Sequence, residues 1–162
     1  MKITTKHIFI ALMLSIVSIV HAGFKPGQQA PGFALKDLAG KSVTLDDLVK
    51  QGHVLLVFWE SECVYCFMHV KDFNAIHEQY QGKGLSLVAI NFLGEHEDAI
   101  KSYVDDHNIK YMLLTDRGES IDAATAYKVI GSPTLALISP DKKILYYGHK
   151  IPDLQTYPIG KR

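Results

Sequence analysis

Several features that define other classes of protein are scarce in this chain. Its 162 residues contain only two cysteines and one tryptophan, and the basic and acidic residues are equal in number, 17 of each. Two cysteines exclude a disulfide-rich scaffold, and no excess of positive charge points to nucleic acid. The sequence has no internal repeat and no low-complexity tract. Its ordinary composition fits one globular domain with its own core.

The first 22 residues have the pattern of a secretory signal peptide. Lys2 and Lys6 precede an apolar run of 13 residues, Ile8 to Val20, and the run ends in the small-residue cleavage signal Val20-His21-Ala22. The run is shorter than the ~20 residues that a membrane-spanning helix needs. We therefore expect cleavage before Gly23, no retained anchor, and a mature protein that is periplasmic or otherwise extracytoplasmic.

The two cysteines, Cys63 and Cys66, are three residues apart. In an oxidising compartment, a pair at this spacing forms a disulfide unless something reduces it. The bond is then either a redox couple or a structural staple. A staple that closes so small a loop constrains the unfolded chain very little, so the spacing favours a redox couple.

The cysteines lie where an apolar strand gives way to a helix. Residues 54–59, Val-Leu-Leu-Val-Phe-Trp, form a short continuous apolar run that predicts a strand buried on both faces. From Val64 to Gly82, apolar residues recur every three or four positions, which predicts one amphipathic helix. Cys63 would lie at the N-terminus of this helix, where the helix dipole stabilises a thiolate and lowers the pKa of the thiol. Cys63 is therefore the predicted nucleophile, and Cys66 is the predicted resolving thiol.

A second informative segment begins at Tyr127 and reads Tyr-Lys-Val-Ile-Gly-Ser-Pro-Thr. Together with the apolar strand, Trp59 and the C-x-x-C pair, this Tyr-x-Val-x-Gly-x-Pro-Thr segment resembles the thioredoxin superfamily. The resemblance implies that Pro133 follows a cis peptide bond and lies against the active-site disulfide. It also implies that Ser132 offers its backbone to a substrate strand and that Trp59 shields the disulfide.

Residues 30–45, Ala-Pro-Gly-Phe-Ala-Leu-Lys-Asp-Leu-Ala-Gly-Lys-Ser-Val-Thr-Leu, predict two short strands around a turn. This segment resembles the opening of the TlpA-like extracytoplasmic thiol-disulfide reductases and of their peroxiredoxin relatives. Peroxiredoxins place the reactive cysteine in a Pro-x-x-x-Thr/Ser-x-x-Cys frame, and residues 56–63 contain no proline, which disfavours that branch. The TlpA-like resemblance implies the reducing direction, with electrons delivered by a membrane redox partner.

Strands and helices alternate along the rest of the chain. Strands are predicted at residues 85–92, 111–115, 134–139 and 143–147, and helices at residues 96–108 and after a turn at residues 116–118, with Ser120 as the N-cap. The fold class is therefore α/β, and the resemblance makes it a thioredoxin-like three-layer sandwich with a mixed central sheet and an N-terminal β-hairpin extension. This domain would occupy residues 23–150. Residues 151–162 contain two prolines and should form a short, loose tail in place of the final helix of the family.

Several residues near the cysteines depart from the family pattern, among them Tyr65, which replaces part of the Gly-Pro pair of thioredoxins. Val57 stands where thioredoxins carry a buried aspartate, and Phe67-Met68-His69 stands where TlpA-like proteins often carry a glutamate. Glu62 directly precedes Cys63 and would raise the pKa of its thiol if poorly solvated, whereas an exposed Glu62 would have little effect. His69 with the two cysteines gives only three candidate ligands for zinc or copper, so no metal site is predicted.

These patterns predict an exported thiol-disulfide oxidoreductase that exchanges disulfides with protein substrates through Cys63 and Cys66. Such chemistry needs no dissociable cofactor. The alternative is a non-enzymatic thioredoxin-fold module that binds a metal or a protein partner. That alternative stays open because the usual acidic residues and the final helix of the family are missing.

Overall fold

The computed structural model describes residues 23–160, so the signal peptide predicted for residues 1–22 lies outside the described residues. Among residues 23–160, no helix has the length and apolar character needed to cross a membrane. Seven strands form one sheet: β1 (Ala34–Asp37), β2 (Ser42–Thr44), β3 (His53–Trp59), β4 (Leu85–Asn91), β5 (Met112–Thr115), β6 (Thr134–Ile138) and β7 (Ile144–Gly148). The helices of this part of the chain are α1 (Leu45–Val49), α2 (Val64–Met68), α3 (Val70–Tyr80), α4 (Glu97–His107), α5 (Arg117–Ala126) and a 3₁₀ turn (Leu154–Thr156).

The strand order across the sheet is β2-β1-β5-β4-β3-β6-β7. Strands β3, β4 and β5 are parallel neighbours, whereas the β1–β2 hairpin and the β6–β7 hairpin extend the two edges with antiparallel pairs. The sheet is therefore mixed. This confirms the predicted α/β thioredoxin-like fold with an N-terminal hairpin extension.

Strand β3 lies at the centre of the core, and all seven of its residues are buried. Alternate side chains serve opposite faces of the sheet, as the pleat of a strand requires. Val54, Leu56 and Phe58 pack into the core that includes residues of α1 and α5, whereas Leu55, Val57 and Trp59 pack into the core that includes residues of α3 and α4. Because helices cover both faces, the strand is continuously apolar from Val54 to Trp59 and does not alternate with polar residues.

The single helix predicted from Val64 to Gly82 is wrong, because the chain forms two helices separated at His69. The His69 N–H donates to the carbonyl of Cys66, three residues back, which tightens the turn and ends α2. Helix α2 buries only Cys66, whereas α3 buries Val70 and Phe73 against the sheet. The break thus lets the two helices present different faces to the core.

The predicted N-cap Ser120 is also wrong, because α5 begins at Arg117 and its N-cap is Asp116. The segment predicted as a turn forms the first turn of this helix. Ser120 is buried inside it, and its hydroxyl accepts the N–H of Asp116 at 2.9 Å. Ser120 therefore satisfies a backbone donor at the helix start from a position within the helix.

The loose tail predicted after residue 150 is wrong for residues 151–160. Leu154 is only 6% exposed and belongs to the same core as Phe73 of α3. Further along, a Cβ built on Gly84 would lie 2.9 Å from the Cα of Gly160, so the two backbones are in close contact there. Prolines prevent a long helix in this segment, but they do not prevent its apolar side chains from packing on the domain.

Candidate functional site

The two cysteines form a disulfide at the start of α2. Their Cα atoms are 5.2 Å apart, and Cys63 is the N-cap residue of the helix. The Cys63 sulfur accepts the backbone N–H of Cys66 at 3.0 Å. The placement predicted for Cys63 at a helix N-terminus is confirmed. Cys63 and Cys66 are 7% and 4% exposed, so the surrounding side chains control access to the bond.

The Ser132–Pro133 peptide bond is cis, as the resemblance implied. It directly precedes β6, in which Thr134 pairs with Phe58 of β3, so the proline loop lies at the end of the sheet where β3 runs into the cysteine loop. The Ser132 hydroxyl donates to the Glu60 carboxylate at 2.8 Å. This hydrogen bond ties the proline loop to the segment between Trp59 and Cys63. The role of Ser132 and Pro133 in holding a substrate stays a prediction.

Trp59 is the last residue of β3 and is 3% exposed. It packs in the same apolar cluster as Cys63 and Cys66. Its ring lies against Tyr103 of α4, with the ring centroids 4.8 Å apart. This position is compatible with the shielding role predicted for Trp59, which stays a prediction.

A carboxylate that the sequence analysis missed holds the cysteine loop in place. Glu95 accepts the Ser61 N–H at 3.0 Å and the Ser61 hydroxyl at 2.5 Å. The side-chain amide of Asn91 also donates to Glu95, and the Glu95 N–H donates back to the Asn91 side-chain oxygen at 2.9 Å. Asn91 is fully buried at the end of β4. Glu95 therefore joins the end of β4 to the loop that leads to Cys63.

The order of elements contains a signal that points to this contact. Strands β3 and β4 are adjacent and parallel, so the segments that follow them emerge at the same edge of the sheet. Asn91 is a polar residue at the end of an otherwise apolar strand, and Glu95 follows it by four residues. Polar residues in that position therefore mark candidates for contact with the cysteine loop.

A shallow groove of about 250 Å³ runs beside the disulfide. One wall is aromatic, because the rings of Tyr103 and His107 stack with centroids 4.1 Å apart, and Phe67 meets His107 edge-on at 5.0 Å. The residues that line the groove are Ser61, Glu62, Cys63, Val64, Phe67, Tyr103 and His107. Cys63 is thus the cysteine that borders the groove.

Exposed apolar side chains surround the disulfide. Four of the five residues of α2 are apolar or aromatic and at least half exposed: Val64 at 66%, Tyr65 at 67%, Phe67 at 54% and Met68 at 63%. On the proline side, Ile130 is 77% exposed. Several exposed apolar side chains on one short helix commonly mark a site that contacts another protein.

The departures from the family pattern have plain structural consequences. Val57 is only 1% exposed, and strand β3 contains no acidic residue that could take the place of the buried aspartate of thioredoxins. Glu62 is exposed, in keeping with the weaker of its two predicted effects. His69 points its Nδ1 at the Asp72 carboxylate, 2.8 Å away. In residues 23–160, no group of three or more His, Cys, Asp or Glu side chains is arranged to hold a metal ion.

A C-x-x-C disulfide at a helix N-terminus, on a mixed sheet and beside a cis-proline loop, defines a thioredoxin-like protein. A comparison with known families gives the particular group. The model of the AhpC/TSA family matches residues 26–147, and the chain belongs to this family.

Several curated relatives of this chain are named thiol-disulfide oxidoreductases. The chain is 32% identical over 141 residues to the thiol-disulfide oxidoreductase ResA of Bacillus subtilis, which covers 83% of this chain and 75% of that protein. ResA of Bacillus cereus is 34% identical over 119 residues, and the match covers 74% of this chain and 66% of the relative. The chain thus spans just under two thirds of the length of that relative.

Solved structures show the same fold. The thioredoxin domain of a thiol-disulfide oxidoreductase from Bacteroides vulgatus superposes with a TM-score of 0.73 at 23% identity, over 82% of this chain and 94% of that one. A candidate thiol:disulfide interchange protein DsbE from Chlorobium tepidum superposes with a TM-score of 0.68 at 29% identity, over 81% of this chain and 89% of the other. The sheet and helices described above are therefore those of a thioredoxin domain.

Proposed function

We propose that this protein is an exported thiol-disulfide oxidoreductase that reduces disulfides in other proteins through Cys63 and Cys66. The observation that carries the proposal is the Cys63–Cys66 disulfide at the start of α2, with one of its sulfurs bordering an open groove. The relatives named ResA, which are thiol-disulfide oxidoreductases, support it.

The proposed reaction begins with the reduced protein. The Cys63 thiolate attacks one sulfur of a substrate disulfide, and the other substrate sulfur leaves as a thiolate that takes up a proton. Cys66 then loses its proton and attacks the Cys63 sulfur, which re-forms the Cys63–Cys66 bond and releases the second substrate thiol. Two electrons pass from the protein to the substrate. The Cys66 N–H, 3.0 Å from the Cys63 sulfur, is placed to stabilise the attacking thiolate.

Protein substrates fit the surface around the disulfide. The exposed side chains of α2 and Ile130 offer apolar contacts on both sides of the cysteines. A substrate strand that runs along the proline loop would meet the backbone of Ser132, while its own sulfur reaches Cys63. Pro133 would lie against the disulfide and Trp59 would shield it, as the resemblance implies.

Export and the source of electrons are further parts of the proposal. The pattern of residues 1–22 supports a cleaved signal peptide, followed by a thioredoxin-like domain at residues 23–150 and a short C-terminal segment at 151–162. In an oxidising compartment the disulfide must be re-reduced after each turnover. A membrane redox partner is the proposed electron donor. N-terminal sequencing of the mature protein should begin at Gly23, and recovery of the intact leader would contradict cleavage.

An insulin-reduction assay tests the activity. The wild-type protein should accelerate the reduction of insulin by dithiothreitol, and Cys63→Ser should reduce this acceleration to background. A surface variant such as Lys71→Ala, on the exposed side of α3, serves as the matched control and should keep wild-type activity. Equal rates for wild type and Cys63→Ser would refute the proposal, as would the absence of any acceleration by the wild type.

The reduction potential of the Cys63–Cys66 pair tests the direction. Thioredoxin, a reductant, lies at about −270 mV, and DsbA, an oxidant, lies at about −120 mV. Equilibration with glutathione buffers should place this protein near the thioredoxin value. A reduction potential near the DsbA value would be compatible with oxidoreductase activity but would mean that the protein oxidises its substrates.

A further inference from the structure

Two buried hydrogen-bond donors beside the disulfide have no partner among the described residues. They are the indole Nε1 of Trp59 and the hydroxyl of Tyr103. Folded proteins pair nearly all buried polar groups, so an unpaired one needs an explanation, and a redox or catalytic role is one such explanation. Tyr103 is 8% exposed, and its side chain lines the groove that Cys63 also lines. The Tyr103 side chain and the predicted nucleophile therefore border the same groove.

Neighbouring rings fix the position of the Tyr103 side chain. Trp59 packs on it with the ring centroids 4.8 Å apart, and His107 stacks on it at 4.1 Å. The His107 ring is itself held, because its Nδ1 donates to the backbone carbonyl of Tyr103 at 2.8 Å. A side chain packed in this way cannot turn its hydroxyl towards solvent without disturbing both neighbours. The position of the Tyr103 hydroxyl is thus fixed in the oxidised protein.

The Tyr103 hydroxyl keeps its proton at neutral pH. Burial raises the pKa of Tyr103, and the nearby Glu95 carboxylate raises it further. Glu95 itself accepts hydrogen bonds from Ser61 and Asn91. The Tyr103 hydroxyl therefore stays protonated, and able to donate a hydrogen bond, in the pH range where thiols exchange with disulfides.

We propose that the Tyr103 hydroxyl donates a hydrogen bond to the Cys63 thiolate once the disulfide has been reduced. The inference rests on the proposed function and names a further residue for the same site. Reduction by a dithiol breaks the Cys63–Cys66 bond and oxidises the dithiol to a disulfide. Two electrons and one proton pass to the protein and the second proton passes to solvent, which leaves Cys63 as a thiolate and Cys66 as a thiol. A disulfide sulfur is a weak acceptor, whereas a thiolate is a charged and strong one. Tyr103 therefore gains its partner only in the reduced state.

The isosteric variant Tyr103→Phe tests this proposal. Loss of the donor should raise the pKa of the Cys63 thiol by about one unit, a tenfold change in its ionisation, measured by the pH dependence of alkylation of the reduced protein. The equilibrium constant for reduction by glutathione should fall about tenfold. For this two-electron couple, that fall makes the potential about 30 mV more negative.

Tyr111→Phe is the matched control. Tyr111 lies in the same apolar core and packs edge-on against Phe73 with centroids 5.9 Å apart, but it does not line the groove beside Cys63. This variant should keep the wild-type thiol pKa and reduction potential. Thermal unfolding of both variants checks that the fold is intact.

An unchanged pKa of the Cys63 thiol in Tyr103→Phe would overturn the proposal, whatever the reduction potential of the variant. A hydrogen-bond donor to the thiolate must lower the pKa of the thiol, so its loss must raise that pKa. If Tyr103→Phe does not fold, the wild-type protein labelled with fluorotyrosine provides a second test, read by fluorine NMR. The Tyr103 resonance should then shift as Cys63 ionises in the reduced protein, and its constancy overturns the proposal. Insulin reduction is scored separately: activity that depends on Cys63 but shows none of these effects refutes the role of Tyr103 alone.

Discussion

Replacing Glu95 by glutamine should destabilise the protein, because one carboxylate holds three donors at the cysteine loop. The Ser61 N–H and hydroxyl lie 3.0 and 2.5 Å from its oxygens, and the Asn91 amide is the third donor. Glutamine keeps one acceptor oxygen, and its NH₂ group would face at least one of these donors. Hydrogen bonds to charged groups contribute about 1.5–3 kcal/mol each, and Glu95 is partly exposed, so we expect the free energy of unfolding to fall by about 2 kcal/mol.

Urea unfolding followed by the fluorescence of Trp59 measures this loss. A double-mutant cycle with Ser61→Ala should show a coupling free energy of about 1 kcal/mol, because the two side chains share hydrogen bonds. Glu97→Gln is the control, since Glu97 forms an ion pair with Lys101 on the solvent side of α4 and, among residues 23–160, does not contact the cysteine loop. A loss below about 0.5 kcal/mol for Glu95→Gln, or strictly additive effects with Ser61→Ala, would refute the reasoning.

Three further predictions concern stability and substrate capture. Burial lowers the pKa of His53, so below about pH 6.5 the unfolded state binds a proton at this residue more readily than the folded state does. The free energy of unfolding should therefore fall less in His53→Gln than in the wild type when the pH is lowered from 7 to 5. Equal falls in the two proteins would contradict this. Leu154→Ala should lower the free energy of unfolding, measured with urea, by about 2–3 kcal/mol. Ile121→Ala, at a half-exposed position, should lower it by less than about 0.5 kcal/mol. Equal losses would mean that the C-terminal segment is not packed on the domain. Cys66→Ser should accumulate mixed disulfides between Cys63 and substrate proteins, visible on non-reducing gels, and their absence would mean that Cys66 does not resolve the intermediate.

The elements that the sequence predicts correctly are those with a local physical signature. Strand β3 is continuously apolar over residues 54–59 because both of its faces are covered, and Cys63 falls at the boundary where this pattern changes to helical spacing. The break at His69 has no such signature, since the apolar spacing continues through it. Leu154 is buried by an irregular segment, and burial of that kind requires no periodicity.

The contacts of the site are harder to predict because they join distant parts of the chain. Glu95 and Ser61 are 34 residues apart, and Ser132 and Glu60 are 72 residues apart. Their proximity follows from strand order and register, which a single sequence specifies only through the whole fold. The motif around the cysteines can thus be predicted residue by residue, whereas its supporting side chains become evident only from the assembled sheet.

Two polar side chains near the disulfide, those of Glu95 and Tyr103, come from the segment after β4 and from α4, whereas residues 54–59 of β3 are all apolar. A carboxylate at Val57 would have to be buried without a partner, which is costly. The two polar residues have separable effects. Glu95 accepts the N–H of Ser61 while the disulfide is intact, so Glu95→Gln should lower the stability of the oxidised protein. Tyr103 gains a partner only from the thiolate, so Tyr103→Phe should change the redox equilibrium without lowering that stability. A loss of oxidised-state stability in Tyr103→Phe comparable to that in Glu95→Gln would show that the hydroxyl already has a structural role before reduction.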